Sequence, residues 1–410
     1  MGNFSIPLSG LSADSVALNT IGNNLSNLNT TAFKEQSTQF EDLFYQQIGN
    51  NGSGDALQVG VGTKVETTAT DFEQGSINPT GVNTDLALSG DGFFIVQQAG
   101  VNQLTRAGNF QLDAKGNFIT AEGNAVMGYA AVNGVVNSTG PLSALTLPVG
   151  TTESGQATQN ISFTANLNAG AAVGTTYPSS VTIYDSLGQT HLATVTFTKS
   201  AANTWTYSIG IPAADYTGTP TNNTGTLTFN SSGVLTSPAS NVSAVTFPTL
   251  TDSAANLDFN FNLYDASTGS PLITQTIAPS QTSADTQDGF ASGIYQSFTA
   301  DPTGKLIATF SNGQTETVGQ VAVASVSNEE GLTIIGNNNL ITTAASGQLI
   351  AGVAGTGSRG TITDSALEES NVDISTEFAN LIVAQRDFEA NSKTVTTYDT
   401  VTQDTIAMIR

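Results

Sequence analysis

Hydrophobic positions change their period twice along the chain. In the first 28 residues Phe4, Leu8, Leu11, Leu18 and Leu25 follow alternating spacings of three and four, with Ser15 and Gly22 completing the stripe and Ile21 and Leu28 widening it. That spacing predicts an amphipathic helix. Pro7 is tolerated in a first turn, Gly10 and Gly22 weaken the interior by roughly 1 kcal/mol each relative to Ala, and Asn27 and Asn29 offer a stop. At the other end Ile374, Phe378, Leu381, Gln385, Phe388, Ser392, Val395, Asp399, Thr402, Ile406 and Ile409 keep a strict four-three repeat with no Gly or Pro between them. Asp373 is placed to cap this helix, Glu377 suits its first turn and Arg410 its negative end. From Ser375 to Ile409 it would reach ~50 Å at 1.5 Å per residue.

Between roughly Gly75 and Gly360 the period shortens to that of strands. Alternating runs such as Leu86 to Val96, Val181 to Tyr184, Leu192 to Thr198, Thr204 to Ile209 and Leu306 to Phe310 are separated by turn sequences, among them Asp185-Ser186-Leu187-Gly188 and Ser311-Asn312-Gly313. Recurrent hairpins predict all-β antiparallel domains, and nothing alternates helix with strand as a doubly wound sheet would. Residues 151–285 are poorest in charge, with Lys199 their only base, and rich in Thr, which marks an inserted domain. The fold expected is therefore multidomain: β domains, one nested in another, plus long terminal helices. A terminal stripe containing Gln385, Ser392, Asp399 and Thr402 cannot bury itself alone. Either the two helices pair within one molecule in a coiled-coil-like bundle, or the stripes pack between molecules.

Composition narrows the function more than the fold. Thirty-three acidic and ten basic residues give a net charge of −23, although only 10% of the chain is charged. The bases are scattered, so nucleic-acid binding and anionic-membrane binding are not expected. Absence of cysteine excludes thiolate nucleophiles and zinc-thiolate or iron-sulfur sites, and any Ser-His-Asp chemistry would have to use the single histidine, His191. No enzyme activity, cofactor or metal ligand is expected. No run of about 18 apolar residues could span a bilayer, and the first basic residue is Lys34, unlike a secretory signal. Taken plainly this is a cytoplasmic start, whereas the cysteine-free, charge-poor composition suits work outside the cell. Export without a cleaved signal would reconcile the two.

The remaining motifs read as structure. Gly355-Thr356-Gly357-Ser358-Arg359-Gly360 matches a dinucleotide fingerprint in letters only, since Thr361-Ile362-Thr363 opens no helix, and a turn is expected. His191 begins a strand and has no evident partner. Glu329-Glu330, Glu368-Glu369, Asp71-Glu73 and Glu41-Asp42 read as surface charge rather than calcium or glycosidase carboxylates. Of the adjacent Phe93 and Phe94, one is expected in the core and the other at an interface or second layer, because neighbours on a strand face opposite ways.

Specific strings go further. Leu8-Ser9-Gly10-Leu11 with Ile21-Gly22-Asn23-Asn24-Leu25-Ser26-Asn27-Leu28-Asn29-Thr30-Thr31-Ala32-Phe33-Lys34 resembles the amino-terminal signature of the bacterial flagellar rod, hook and hook-associated proteins, and Leu367 to Ser375 with Ile382 to Ser392 resembles the carboxyl one. Gln74 to Ile77, Asp85 to Phe94 and Thr105 to Phe110 extend the likeness; Tyr184 to Gly188 and Ser327 to Leu332 resemble strings of the hook branch. Leu43 to Ile48 with Leu57 to Gly62 looks more like the connector of a distal rod protein.

The resemblance implies a structural subunit of a curved tube, a universal joint passing torque from rod to filament around an export channel. It also implies a terminal helical polymerisation domain at 1–29 and 371–410, a connector at 30–75 and 362–370, a β-rich middle domain at 76–150 and 286–361, and an outer β domain at 151–285. In such tubes the helices lie innermost and the inserted domain outermost. Implied partners are further copies of the chain, a distal rod protein, a hook-cap protein, a hook-filament junction protein and the flagellar type III export apparatus. On this reading the assembly seam consists of Leu8, Leu11, Leu18, Leu25, Ile374, Phe378, Leu381, Phe388, Val395, Ile406 and Ile409. A distal rod subunit and a secreted β-rich adhesin or carbohydrate-binding protein remain as alternatives.

Overall fold

The computed structural model describes residues 4–50 and 56–408. It divides into two compact units, one of residues 1–149, 297–308 and 316–410, the other of residues 150–296 and 309–315. Among the described residues the α-helices are α1 (Ser5–Ser26) and α2 (Ile374–Met408), and the remaining regular structure is almost entirely strand. Asp373 caps α2 through its Oδ1, which accepts the Thr376 N–H at 2.8 Å and lowers the pKa of the carboxyl. Asn27 closes α1, its N–H shared between the Asn23 and Asn24 carbonyls. The 35 residues of α2 span ~52 Å.

In the first unit α1 leads into a long antiparallel arm, in which Gln36–Asp42 pairs with Thr63–Thr70 and, farther out, Gln46–Asn50 with Ala56–Val59. The main sheet then runs in the order Thr315–Ser325, Ala125–Val132, Phe93–Gln98, Val101–Thr105, Asn339–Ile341, Thr333–Gly336. The turn before Phe93 requires its glycines: Gly92 has φ +114°, and a Cβ there would lie 2.8 Å from Val323 Cγ1. Phe93 and Phe94 are both fully buried and pack into different ring clusters, which fits the expected core and second-layer positions rather than an interface. Phe93 packs edge-on against Phe72, while Phe94 starts a chain of ring contacts through Phe110 and Phe118 to Phe298 on the opposite face. This sheet is covered on both faces.

The second unit holds two five-stranded sheets. One is antiparallel throughout, from Thr176–Tyr184 through Thr190–Ala201, Thr204–Gly210 and Thr224–Phe229 to Leu235–Ser237. Alternate residues along these strands are buried, as a sheet with one wet face demands. The other departs from the antiparallel expectation, because Asn160–Asn168 lies parallel to Leu257–Asn262 and Ile273–Thr276 and antiparallel to Gln281–Gln287. Trp205, the only tryptophan, is fully buried in a core shared by residues of both sheets, and its Nε1 donates to Gln275 Oε1 at 2.9 Å. The Lys199 ammonium sits 5.1 Å over its ring and donates to the Ala169 carbonyl, with its pKa lowered by burial.

Candidate assembly interface

The two terminal helices form an antiparallel pair, and the side-chain hydrogen bonds that join them run between polar residues beside a close glycine approach. Asn24 meets Glu377, Asp14 and Gly10 meet Asn391, and the Phe4 ring lies 6.0 Å from that of Tyr398. Gly10 allows the close approach, since a Cβ on it would stand 2.7 Å from Asn391 Nδ2, the group that donates to Asp14 Oδ2 at 2.8 Å. The face of α1 buried in the chain is Pro7, Gly10, Ala13, Thr20 and Asn24, and α2 buries only Glu377. An intramolecular helical pair and an uncovered apolar stripe therefore coexist.

Asn24 is the hub of this corner. Only 1% exposed, it donates from Nδ2 to the Gln36 carbonyl at 2.8 Å and to Glu377 Oε2, and its Oδ1 accepts the Gln36 N–H. One amide thus ties α1, the arm and α2 together. Farther along, Thr38 and Thr20 share a hydroxyl contact, and Ser9 Oγ accepts the Thr63 N–H, so the arm lies along α1. The carboxyls of Glu35 and Glu377 face each other here; burial and then the Glu377 charge raise the Glu35 pKa to about 6.

A second hub corrects the reading of Glu368-Glu369 as surface charge. Glu368 is 1% exposed; its Oε1 accepts from Lys34 Nζ at 2.7 Å and from the Gly75 N–H, while Arg106 reaches Oε2 at 3.5 Å. Burial lowers the Lys34 pKa, against the opposing pull of Glu368. Lys34 Nζ also donates to the Glu73 carbonyl, so the segments entering and leaving the helical pair are fastened at one point. Glu369 instead takes hydrogen bonds from Ser76 and Asn78. His191 is a packed strand histidine, as one of the two expected readings, packed or solvated, had it, but it has partners the sequence did not show, three aspartates in the second unit. Gly355 to Gly360 forms the turn that was expected, closed by Arg359 Nε on the Val353 carbonyl.

The seam residues divide by their distance from the helix contact. Leu8 is 61%, Ile374 46%, Phe378 52% and Ile406 58% exposed, with Phe388 at 38%. Leu11, Leu18, Leu25, Leu381 and Val395 are half-buried, and Ile409 lies outside the described residues. On α2 the less exposed positions Glu377, Leu381, Ala384, Asn391 and Val395 define the side toward α1, whereas Ile374, Phe378 and Ile382 form a row four residues apart outside it. The strict four-three repeat passed over Ile382, Val383, Val401 and Met408, all exposed. It also passed over the arm, where Phe40, Phe44, Tyr45, Ile48, Leu57 and Val59 stay in solvent. Exposed apolar residues on a strand pair carry no helical period, but their density between residues 40 and 59 was a readable signal.

With this geometry in place, comparison with known proteins is decisive. Four family models match in chain order: flagella basal body rod protein at 6–34, flagellar hook protein FlgE/F/G D1 domain at 87–166, flagellar basal body protein FlaE D2 domain at 156–290, and flagellar basal body rod FlgEFG protein C-terminal at 363–408. They define the class as flagellar rod and hook proteins. Over 97% of this chain and 98% of the relative it is 34% identical to the flagellar hook protein FlgE of Salmonella typhimurium. The corresponding protein of Treponema pallidum is 30% identical over 98% of both chains, and that of Escherichia coli 32% over 97% and 98%. A solved structure, the Helicobacter pylori flagellar hook protein FlgE2, shares the fold with TM-score 0.52 at 16% identity, covering 71% of this chain and all of that one. The chain belongs to the flagellar hook protein family and is a structural subunit of the hook, which sets aside the distal rod and adhesin alternatives. Its place is the flagellum; no helix among the described residues is long and apolar enough to cross a membrane.

Proposed function

We propose that this hook subunit polymerises into a curved tube through its terminal helices, using the apolar side chains that the helical pair leaves uncovered. The row Ile374, Phe378 and Ile382 with Leu8 and Ile406 supplies the central contacts, and Phe388 with the half-buried Leu11, Leu18, Leu25, Leu381 and Val395 widens the seam; Ile409 continues it in sequence. Residues 1–29 and 371–410 form the polymerisation domain, 30–75 and 362–370 the connector, 76–150 and 286–361 the middle domain, and 151–285 the outer domain. The tube carries torque as a universal joint, encloses the export channel, and meets the distal rod, hook-cap and hook-filament junction proteins. The subunit leaves the cell through the type III apparatus without loss of a signal, and it catalyses nothing.

One observation carries this reading: α1 and α2 pair through Gly10, Asp14, Asn24, Glu377 and Asn391, and so leave large apolar side chains in water. An isolated helix gains little from such exposure, whereas a neighbouring copy would bury it. The test is negative-stain electron microscopy of the full-length chain under salting-out conditions, beside a chain lacking residues 1–29 and 371–410. Tubes from the full-length chain alone are expected. Tubes from the shortened chain, or none from the full-length chain when a hook-cap protein is supplied, would overturn the proposal.

A further inference from the structure

His191, the only histidine, lies in the strand Thr190–Ala201 at one end of the antiparallel sheet of the second unit. It is 5% exposed and faces three carboxylates from three turns. Each carboxylate is held for this. Asp185 Oδ1 accepts the N–H groups of Leu187 and Gln189 at 2.8 and 2.9 Å, which turns Oδ2 to 3.2 Å from His191 Nε2. Asp252 Oδ1 accepts the Ala254 N–H at 3.0 Å and its Oδ2 lies 3.7 Å from the same nitrogen. Asp215, its backbone fixed by Pro212 and Thr251, places Oδ2 2.9 Å from Nδ1.

These distances assign roles to the two ring nitrogens. Nδ1–H donates to Asp215, which leaves Nε2 facing two carboxylate oxygens, and the ligand atoms of Asp185, His191 and Asp252 all lie within 4.8 Å of one another. Two carboxylate oxygens and a ring nitrogen this close together need a shared positive charge, either protons or a metal ion. A proton on Nε2 can point at one carboxylate, and against three aspartates it leaves two negative charges, with no Lys or Arg among the described residues paired to any of them. Asp185 is wholly buried and has no water to relieve its charge, whereas the Asp215 and Asp252 carboxylates are 28% and 29% exposed. A divalent ion would bond to all three atoms at once. A ring whose second N–H is held by a carboxylate is the arrangement that orients metal-bound imidazoles, and here that second-layer group is independent of the three ligands.

We propose that Asp185, His191 Nε2 and Asp252 form a binding site for one divalent transition-metal ion, with Asp215 as the positioning residue. One nitrogen and two carboxylate oxygens favour an ion of the zinc type over magnesium or calcium, which prefer oxygen alone. The metal would clamp the Asp185 turn, the His191 strand and the Asp252 turn together. Its role is structural, and it is separate from the helical seam, so loss of polymerisation would leave it standing.

Zinc chloride titrated into the full-length protein by calorimetry, followed by long-range proton-nitrogen correlation of the single imidazole, tests the site. One equivalent of zinc is expected to bind, moving Nε2 to a metal-bound shift while Nδ1–H is retained. Asp252→Asn, on an exposed turn where folding is not at stake, should weaken binding at least about tenfold, and Asp215→Asn about 10–100-fold. Absence of saturable binding, equal binding by Asp252→Asn and His191→Gln, or a ring still protonated on both nitrogens at saturating zinc would each overturn the proposal.

Discussion

Replacing Phe378 by Ala separates polymer contact from helix pairing more cleanly than any other single change. Phe378 is 52% exposed and belongs to the row turned away from α1. A phenylalanine offers about 200 Å², so the uncovered part is about 100 Å², worth about 2.5 kcal/mol per subunit if a neighbour buries it. At 1.4 kcal/mol per decade, Phe378→Ala should raise the critical concentration for assembly about 60-fold. Alanine favours helix more than phenylalanine does, so the loss would not reflect a melted α2. Leu381→Asp or Phe388→Asp should also block assembly, but both residues lie nearer the α1 side, and a charge there disturbs the pair as well. The assay is sedimentation of polymer against total protein, with Trp205 fluorescence showing that the second unit keeps its fold. A critical concentration within about twofold of the unmodified chain, the scale of an ordinary surface substitution, would refute the assignment of this row to the interface.

Two further predictions concern the hubs behind the helices. Because the Glu35 pKa is raised to about 6 from 4.5, the folded chain holds that proton more tightly than the unfolded one. Docking of α2 should therefore be strongest below the ordinary value and weaken as pH rises through the raised one, and Glu35→Gln should flatten this dependence. Hydrogen exchange of the first turns of α2 measures it, and an unchanged slope in the variant would exclude Glu35 as the source. Glu368→Gln leaves Lys34 and Arg106 buried without their counter-charge, at a cost of about 3–5 kcal/mol to the first unit. Exchange of the Phe93–Val96 amides against unmoved Trp205 fluorescence reports it, and a loss below about 1 kcal/mol would show that the pair is screened.

The helices and the hairpin-rich middle were legible because each is a local periodicity. Asp373, Gly92 and the Asp185 to Gly188 turn act on neighbours a few residues away, and the sequence displays such relations directly. The hubs were not legible. Lys34, Arg106 and Glu368 stand on three separate segments, and Glu368-Glu369 looks like surface charge until the short strand Ala366–Glu368 turns one carboxylate inward and leaves the other at the edge. His191 lacked a visible partner for the same reason: Asp215 and Asp252 come from distant turns brought together by sheet register. The apolar side of the terminal helices was legible in part. The four-three repeat located the apolar side of α2, but it could not tell that Glu377, Asn391 and the Gly10 approach would take the face beside it.

That division of faces has an energetic logic. Had the hairpin been closed by its leucines and phenylalanines, the apolar surface would be spent inside one chain and each copy would reach its neighbours with polar faces. Pairing through Asn24, Asp14, Asn391 and Glu377 exchanges hydrogen bonds with water for hydrogen bonds to carboxylates within the protein, a net gain of about 1.5–3 kcal/mol each. The helical pair is therefore set in direction by specific polar contacts. On the proposed seam, an uncovered apolar face beside this polar closure would couple ordering of the termini to assembly. The tightly fastened points, Glu368 with Lys34 and Arg106, lie where the helices join the β unit. On the proposed assembly, a subunit built this way would give up its helix pairing without giving up its body, and the contacts between copies would supply the energy of the tube.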